Sequence, residues 1–443
     1  MSVIELKSVC VIGMGFVGLT LSVVMAEKDI PRIVGVETNP ETLKQLKSGK
    51  PHFFEAGLPE ALQKHQGRSL TFSNSVPTQV MDAYVITVGT PIDKTTNLPV
   101  LDQIKTATQQ VAQKIENNCL VVLRSTVSVG TTRNIVYPIL KKTGKKFFLA
   151  FCPERTIEGK ALQESQELPQ IIGGYDSESA QKAVELFSKI TTETVVLSSL
   201  ESAEMVKLLN NSWRDTTFAF ANEISHICEK QSLDANEIIH AANYKYSRSA
   251  IPSPGFSASK VPRGGFVGGF CLRKDPHILI DVGKKNGIEL GLIKTARQIN
   301  ENLPRHVAKR IASELNDPSK KIFLLGFAFK GEPETDDIRD SPTIELVQAF
   351  QTMGYHNLYG HDFLVPFEKI KSLGVTPTAL SEGFKNASAV CFCTSTKRYQ
   401  QIPLQDLIPL MTPRGIFFDT WRLFDKNNPV FGNSEKKYQS VGL

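Results

Sequence analysis

The chain predicts a three-part α/β protein: an N-terminal Rossmann-type domain over residues 1–200, a central all-helical region with a long helix over 201–305, and a C-terminal α/β domain over 318–443. Three observations carry this expectation. A buried-strand run, Lys7-Ser8-Val9-Cys10-Val11-Ile12, feeds directly into Gly13-Met14-Gly15-Phe16-Val17-Gly18 and a helix-compatible stretch. Strand and helix patterns alternate to about residue 200, give way to mostly helical periodicity from Glu201 to Asn302, and resume with a strand from Lys320 to Leu325. At 443 residues the chain also exceeds what one ordinary core serves, and about two or three domains follow.

Composition narrows the class. With 41% apolar and 22% charged residues the chain is globular rather than disordered. A net charge of +6, without a run of five basic residues, gives no case for a nucleic-acid partner. Seven cysteines are an odd number, and the close pair Cys391 and Cys393 lies in an apolar strand run, so free thiols in a reducing, cytoplasmic setting are expected. The eight histidines show no metal-ligand spacing, and no metal is expected. The apolar run from Ser8 to Ala26 resembles a signal or membrane segment, but its three spaced glycines give a better account, and no membrane association is expected.

The first domain opens with G-x-G-x-x-G, weak alone. A strand before it, a helix after it, and an acid, Glu37, at the end of the strand Arg32-Ile33-Val34-Gly35-Val36 complete the dinucleotide fingerprint. Gly13, Gly15, Phe16, Val17 and Gly18 would seat a pyrophosphate at the helix N-terminus. Glu37 would accept from ribose hydroxyls and repel a 2′-phosphate, favouring NAD over NADP. The strands 83–88 and 119–123 end at Thr90 and Thr126, where open parallel sheets bind ligands; a helix N-cap is an equally good account of either threonine. After the strand 147–152 come Glu154 and Glu158, four apart, suited to acid/base or water-positioning work, though surface acids are the commoner explanation of such a pair. Strands at 170–174 and 194–197 close the domain.

The long helix beginning at Glu201 places Met205, Leu208, Leu209 and Trp213 on an apolar face and Lys207 with Asn211, again i,i+4, on another stripe. That stripe could face a cleft, and the helix could serve a homodimer interface. A loop rich in Pro, Gly and Ser, 244–266, leads to Gly268-Gly269-Phe270-Cys271-Leu272-Arg273-Lys274-Asp275-Pro276. A free cysteine is more often core than nucleophile, but Cys271 follows glycines that allow close backbone approach to a ligand, precedes two cations that favour a thiolate, and shares a helical face with Asp275. Only Cys152, at a strand end, rivals it. The third domain begins with a strand and Gly326-Phe327-Ala328-Phe329-Lys330, has a helix over 343–351, and lacks its own G-x-G-x-x-G, so it should hold something other than a second dinucleotide.

Together these motifs resemble the UDP-glucose/GDP-mannose dehydrogenase family, nucleotide-sugar dehydrogenases that oxidise a sugar C6 alcohol to a carboxylate. The resemblance spans nearly the whole chain, from Gly13–Gly18 through Gly89-Thr90-Pro91, Ser125-Thr126, Pro153–Lys160, Lys207–Asn211 and Gly268–Asp275 to Asp337-Ile338-Arg339-Asp340-Ser341-Pro342. It implies that Cys271 traps the aldehyde and carries a thioester, with Asp275, Lys207, Asn211, Glu154, Glu158 and Thr126 around it. It implies that Lys274 and Arg339 reach NAD, that Phe329 and Lys330 reach the nucleotide sugar, and that Arg248 and Arg422 contact substrate. The chain departs from the family pattern at Phe270, where a smaller or polar residue is usual; in the extra segment 256–265; at Glu37, usually Asp; and at Arg422, one place late after Asp419.

The expected activity is therefore NAD-dependent four-electron oxidation of UDP-glucose or a UDP-N-acetylhexosamine, for polysaccharide biosynthesis. The competing readings are a two-electron 3-hydroxyacid or 6-phosphogluconate-type dehydrogenase, which needs no thiol, and a non-catalytic NAD-binding protein.

Overall fold

The computed structural model describes residues 6–93, 98–244, 265–432 and 435–443, which divide into two compact units, Met1–Asn211 with His277–Glu289, and Ser212–Pro276 with Leu290–Leu443.

The first unit is built on eight strands: β1 (Ser8–Ile12), β2 (Arg32–Val36), β3 (Leu70–Ser73), β4 (Ala83–Ile86), β5 (Cys119–Leu123), β6 (Phe147–Phe151), β7 (Gln170–Gly174) and β8 (Thr194–Leu197). Their order is β3-β2-β1-β4-β5-β6-β7-β8, parallel throughout except where β7 meets β6. Helices cover both faces, which is why the strands read as continuous apolar runs: Val9 and Val11 enter one core, Cys10 and Ile12 the other. Helix α1 (Phe16–Glu27) is buried at every position from Gly18 to Ala26, which explains the hydropathy of its segment. Among the described residues no helix is long and apolar enough to cross a membrane.

The second unit holds a six-stranded, all-parallel sheet of β9 (Ile322–Leu325), β10 (Leu358–His361), β11 (Thr376–Pro377), β12 (Ala389–Phe392), β13 (Ile416–Asp419) and β14 (Lys437–Gln439), ordered β11-β10-β9-β12-β13-β14. Again alternate residues of one strand serve two cores, Ile322 and Leu324 against Phe323 and Leu325. The long helix α2 (Leu200–Gln231), the thiol-bearing helix α3 (Phe270–Lys285), α4 (Gly291–Leu315) and α5 (Pro342–Thr352) complete the elements that matter below.

Strand order places the ligand crevices. In a doubly wound sheet the loops diverge where the order reverses, leaving a gap at the carboxyl ends of the two strands concerned. In the first sheet these are β1 and β4, followed by the Gly13 turn and by Thr87–Thr90. In the second they are β9 and β12, followed by Gly326–Lys330 and Thr394–Thr396.

Candidate active site

In the first unit the glycine turn sorts into two kinds of position. Gly13 has φ +96°, and a Cβ there would lie 3.1 Å from Val88. A Cβ at Gly18 would sit 1.9 Å from the Gly13 carbonyl oxygen, so Gly18 is required by the close packing of α1 on the turn. Gly15 is different: it is exposed, and a Cβ would meet nothing within 4 Å. The protein itself does not need glycine there, and the space suits a ligand's close approach. Beside it Phe16 and Val17 open α1, whose first turn contains no acid to compete with an anion. Glu37 follows β2, its carboxylate accepting from the Met14 amide at 3.3 Å and the Asn39 amide at 2.8 Å. The set fits a dinucleotide with a free 2′-hydroxyl. Thr90 donates its hydroxyl to the Thr126 carbonyl at 2.6 Å, tying together the loops after β4 and β5.

Deeper in the same unit Lys207 Nζ lies 3.2 Å from Glu154 Oε2, both side chains buried. Burial pushes the Glu154 carboxyl up, but Lys207 and Arg124 outweigh it and hold it below the usual range. Glu154 is therefore a carboxylate at neutral pH, able to orient Lys207 and a water. Glu158 is half-buried in the following turn, whose Gly159 amide is held by Glu55 at 2.6 Å, and Asn211 is half-buried one turn after Lys207 on α2. Sequence reasoning missed Glu204, three residues before Lys207. It is buried and accepts from the Gly130 amide at 2.5 Å, and from the Thr132 amide and hydroxyl at 2.8 and 2.6 Å. It thus ties α2 to the loop that carries Thr126. Burial pushes its carboxyl up to about 7 against the pull of those donors. An acid between apolar residues, Ala203 and Val206, was the available signal.

In the second unit Cys271 is exposed in the first turn of α3, while the other six cysteines are buried. Burial pushes the thiol of the sequence rival, Cys152, up to about 12, as it does those of Cys10 and Cys393. Asp275, on the next turn, is fully buried and 3.8 Å from Lys274. The glycines before the thiol make a different approach from the one expected: a Cβ at Gly268 would lie 2.3 Å from Pro342, and one at Gly269, where φ is +90°, 2.5 Å from the Phe329 ring. They let the thiol segment dock on the loop after β9, with the Gly269 amide donating to the Asp340 carbonyl at 3.1 Å. Phe270 has Lys274 Nζ 4.6 Å and the Arg339 guanidinium 5.4 Å from its ring centre. The aromatic residue at this departure from the family pattern thus gathers the two cations expected to reach NAD. Arg339 also forks onto Asp337 at 2.8 and 3.0 Å. Lys330 borders a recess beyond the ends of β9, β10 and β12, with Thr335, Asp362 and Thr396. Arg422 is bound to Asp234 by two bonds of 3.2 Å, an intramolecular commitment that spacing along the chain did not reveal. Arg248 lies outside the described residues.

A dinucleotide turn on one sheet and a single exposed thiol beside a second α/β sheet define the class of a cofactor-dependent dehydrogenase. Comparison with known proteins makes this specific. Residues 7–191 match the NAD binding domain of the UDP-glucose/GDP-mannose dehydrogenase family, 201–302 its central domain and 323–426 its UDP binding domain. UDP-N-acetyl-D-mannosamine dehydrogenase of Campylobacter jejuni is 32% identical over 355 residues, 77% of this chain and 83% of that one. The enzyme of that name from Methanocaldococcus jannaschii is 29% identical over 431 residues, 95% and 93% of the two chains. Among solved structures, UDP-D-ManNAc dehydrogenase from Pyrococcus horikoshii superposes with a TM-score of 0.84 at 26% identity, over 98% of this chain and 99% of that one. A UDP-glucose dehydrogenase from Pyrobaculum islandicum gives 0.83, also at 26% identity, over 99% and 98%. The chain belongs to the UDP-glucose/GDP-mannose dehydrogenase family, and it is an NAD-dependent nucleotide-sugar dehydrogenase.

Proposed function

We propose that the protein oxidises the C6 hydroxymethyl of a UDP-N-acetylhexosamine, with UDP-N-acetylmannosamine first among candidates and UDP-glucose second, to the uronic acid in two successive two-electron steps at Cys271. The observation that carries this reading is the exposure of Cys271 while six other thiols are buried.

The residues take the following roles. Gly13, Gly15, Gly18, Glu37 and Thr90 hold NAD, which when bound accepts a hydride in each step. Lys207, kept in place by Glu154, stabilises the alkoxide as the alcohol proton leaves to a water, and Asn211 hydrogen-bonds the same oxygen. The Cys271 thiolate adds to the aldehyde carbon, giving a thiohemiacetal that cannot diffuse away. Loss of the second hydride leaves a thioester. Water, oriented by Asp275 or by Glu154 with Glu158 and Thr126, cleaves its carbon–sulfur bond and returns the thiol and a carboxylate. Lys330, Phe329 and Arg248 hold the nucleotide sugar, and Lys274 and Arg339 add positive charge toward NAD. Arg422 reaches substrate only if its pairing with Asp234 opens. Boundaries near 200 and 318 are supported by the end of β8 at Leu197 and by the gap between α4, which ends at Leu315, and β9, which starts at Ile322, whereas 305 falls within α4.

Seven free thiols fit a reducing, cytoplasmic compartment, and the product class fits polysaccharide biosynthesis. Phe220 and Ile227, seven residues apart on α2 and each more than half exposed, support a homodimer through that helix.

The test is stoichiometry across UDP-sugars, with the oligomer checked by sedimentation. We expect two NADH per sugar and a loss of roughly 10³-fold or more in kcat for Cys271→Ser. One NADH per sugar, or full turnover of the variant, rejects the thioester route.

A further inference from the structure

Helix α3 contains a proline, Pro276, one turn after Leu272. Proline has no N–H, so the carbonyl four residues before it, that of Leu272, is denied its helical donor. Leu272 directly follows Cys271, and the missing bond falls in the turn that sets the direction of the thiol. A donor arrives from another helix: Arg297 of α4 places Nη1 2.9 Å from the Leu272 carbonyl oxygen. Arg297 is 1% exposed, a placement that an arginine tolerates only when its charge is paired. The partner is Asp215 of α2, which accepts from the same Nη1 at 2.6 Å.

The bonding continues. Asn300 donates to the Asp215 carbonyl at 2.8 Å and to its carboxylate at 2.9 Å, and Asn222 donates to Asn300 Oδ1 at 2.9 Å. Asn222 then pairs with both backbone groups of Gly265, accepting from its amide at 2.8 Å and donating to its carbonyl at 3.2 Å. The buried chain Gly265–Asn222–Asn300–Asp215–Arg297–Leu272 therefore closes on the backbone at both ends of the segment that holds Gly268, Gly269 and Cys271. Each side-chain amide in it, and Nη1, uses both of its hydrogens. Hydrogen bonds are stronger in a buried, low-dielectric setting, so these bonds hold their surroundings in one arrangement. Among the described residues, Arg297 Nη2 is buried without a hydrogen-bond partner, and Nε has only the Glu301 carboxylate 3.2 Å away.

We propose that Arg297, with Asp215, Asn300 and Asn222, is the positioning device for Cys271, Arg297 standing in for the backbone N–H that Pro276 lacks. This rests on the reading of Cys271 as the nucleophile.

The proposal predicts a specific coupling between positions 276 and 297. Arg297→Gln, made together with Asp215→Asn so that no charge is left buried alone, is too short to reach the Leu272 carbonyl. Misplacing the thiol should lower kcat by about 10- to 100-fold with little change in KM. It should also move the pH profile of Cys271 alkylation by iodoacetamide. Pro276→Ala restores an N–H to the Leu272 carbonyl, so in that background the same pair of substitutions should cost several-fold less. Equal costs in both backgrounds, or an unmoved alkylation profile accompanied only by a lower Tm, overturn the proposal. Should the paired variant fail to fold, Asn300→Ser cuts the chain at its middle, and an alkylation profile like that of the wild type overturns it equally. Cys271→Ser in the same assay separates the two readings. Its retention of turnover would sink the thioester route, whereas an inactive Cys271→Ser without coupling between 276 and 297 sinks only the network's role.

Discussion

The two sheets begin alike and diverge within a few residues. Each first strand ends in a glycine of positive φ, Gly13 at +96° and Gly326 at +93°, whose amide donates 2.9 Å to the last residue of the second strand, Val36 in one case and His361 in the other. Each second strand is followed at once by an acid, Glu37 or Asp362. In the first sheet α1 starts three residues after the glycine, so helix amides point into the turn, and Glu37 accepts from one amide of that turn. In the second sheet the helix, α5, starts only at Pro342, and Asp362 is consumed by the backbone: it accepts from the amides of Phe327 and Ala328 at 2.6 and 3.3 Å and of Leu364 and Val365 at 2.8 and 3.1 Å. The position where an anion could meet the turn amides is filled by the protein's own carboxylate. One architecture thus serves two ligands, and the difference lies in what satisfies the first turn.

The largest effect that can test this contrast is steric. Alanine at Gly18 or at Gly326, where a Cβ would lie 2.1 Å from Thr394, should each cost about 3 kcal/mol of stability, read as a lower denaturation midpoint. Gly15→Ala should change stability by no more than about 0.5 kcal/mol, yet weaken NAD roughly tenfold in a calorimetric titration. A stability loss at Gly15 equal to that at Gly18 would mean that the turn serves packing alone.

A second, smaller difference is electrostatic. Because the Glu204 carboxyl of the first unit is raised to about 7 in the fold, the folded state holds a proton that the unfolded chain releases. Stability around Gly130–Thr132 should therefore fall by about 2 kcal/mol as pH rises from 5 to 7, then level off. In the second unit Glu229 behaves oppositely: burial pushes its carboxyl up, but the His306 bond, the Gly442 amide and Arg310 outweigh it and hold it low. Its contribution is present above the ordinary carboxylate range and lost as pH falls through it. Hydrogen exchange of peptides from the two regions at pH 3, 5 and 7 reads both slopes, the first between pH 5 and 7 and the second between pH 5 and 3, and Glu204→Gln should flatten only the first. A slope that survives this substitution assigns the titration elsewhere.

The smallest expected effect concerns the paired acids. Asp362→Asn should destabilise the second unit by about 1 kcal/mol and leave NAD affinity unchanged, whereas Glu37→Gln should weaken NAD several-fold and leave stability nearly unchanged. Equal effects of the two on cofactor binding would erase the distinction between the turns.

Much of this was legible in the chain because it is local. The first strand, its glycines and Glu37 lie within thirty residues of one another, and an exposed thiol at a helix start follows from Gly268-Gly269 and the polar residues after Cys271. Periodicity reveals which face is buried, not what lies across from it. Hence Glu204 holding an amide 74 positions away, Arg422 committed to Asp234 at a separation of 188, and Arg297 serving Leu272 were not readable. The glycines before the thiol were recognised as sites of close approach, but only the fold reveals that Phe329 and Pro342 are what approaches.

The burial of six thiols behind side chains, with a seventh left in the open, also bears on how this molecule can be handled. Among the thiols, an oxidant in the surrounding medium meets Cys271 first, so a single oxidation there leaves the six core thiols untouched. The same economy directs a thiol-reactive dye on the native chain to Cys271, at the start of α3.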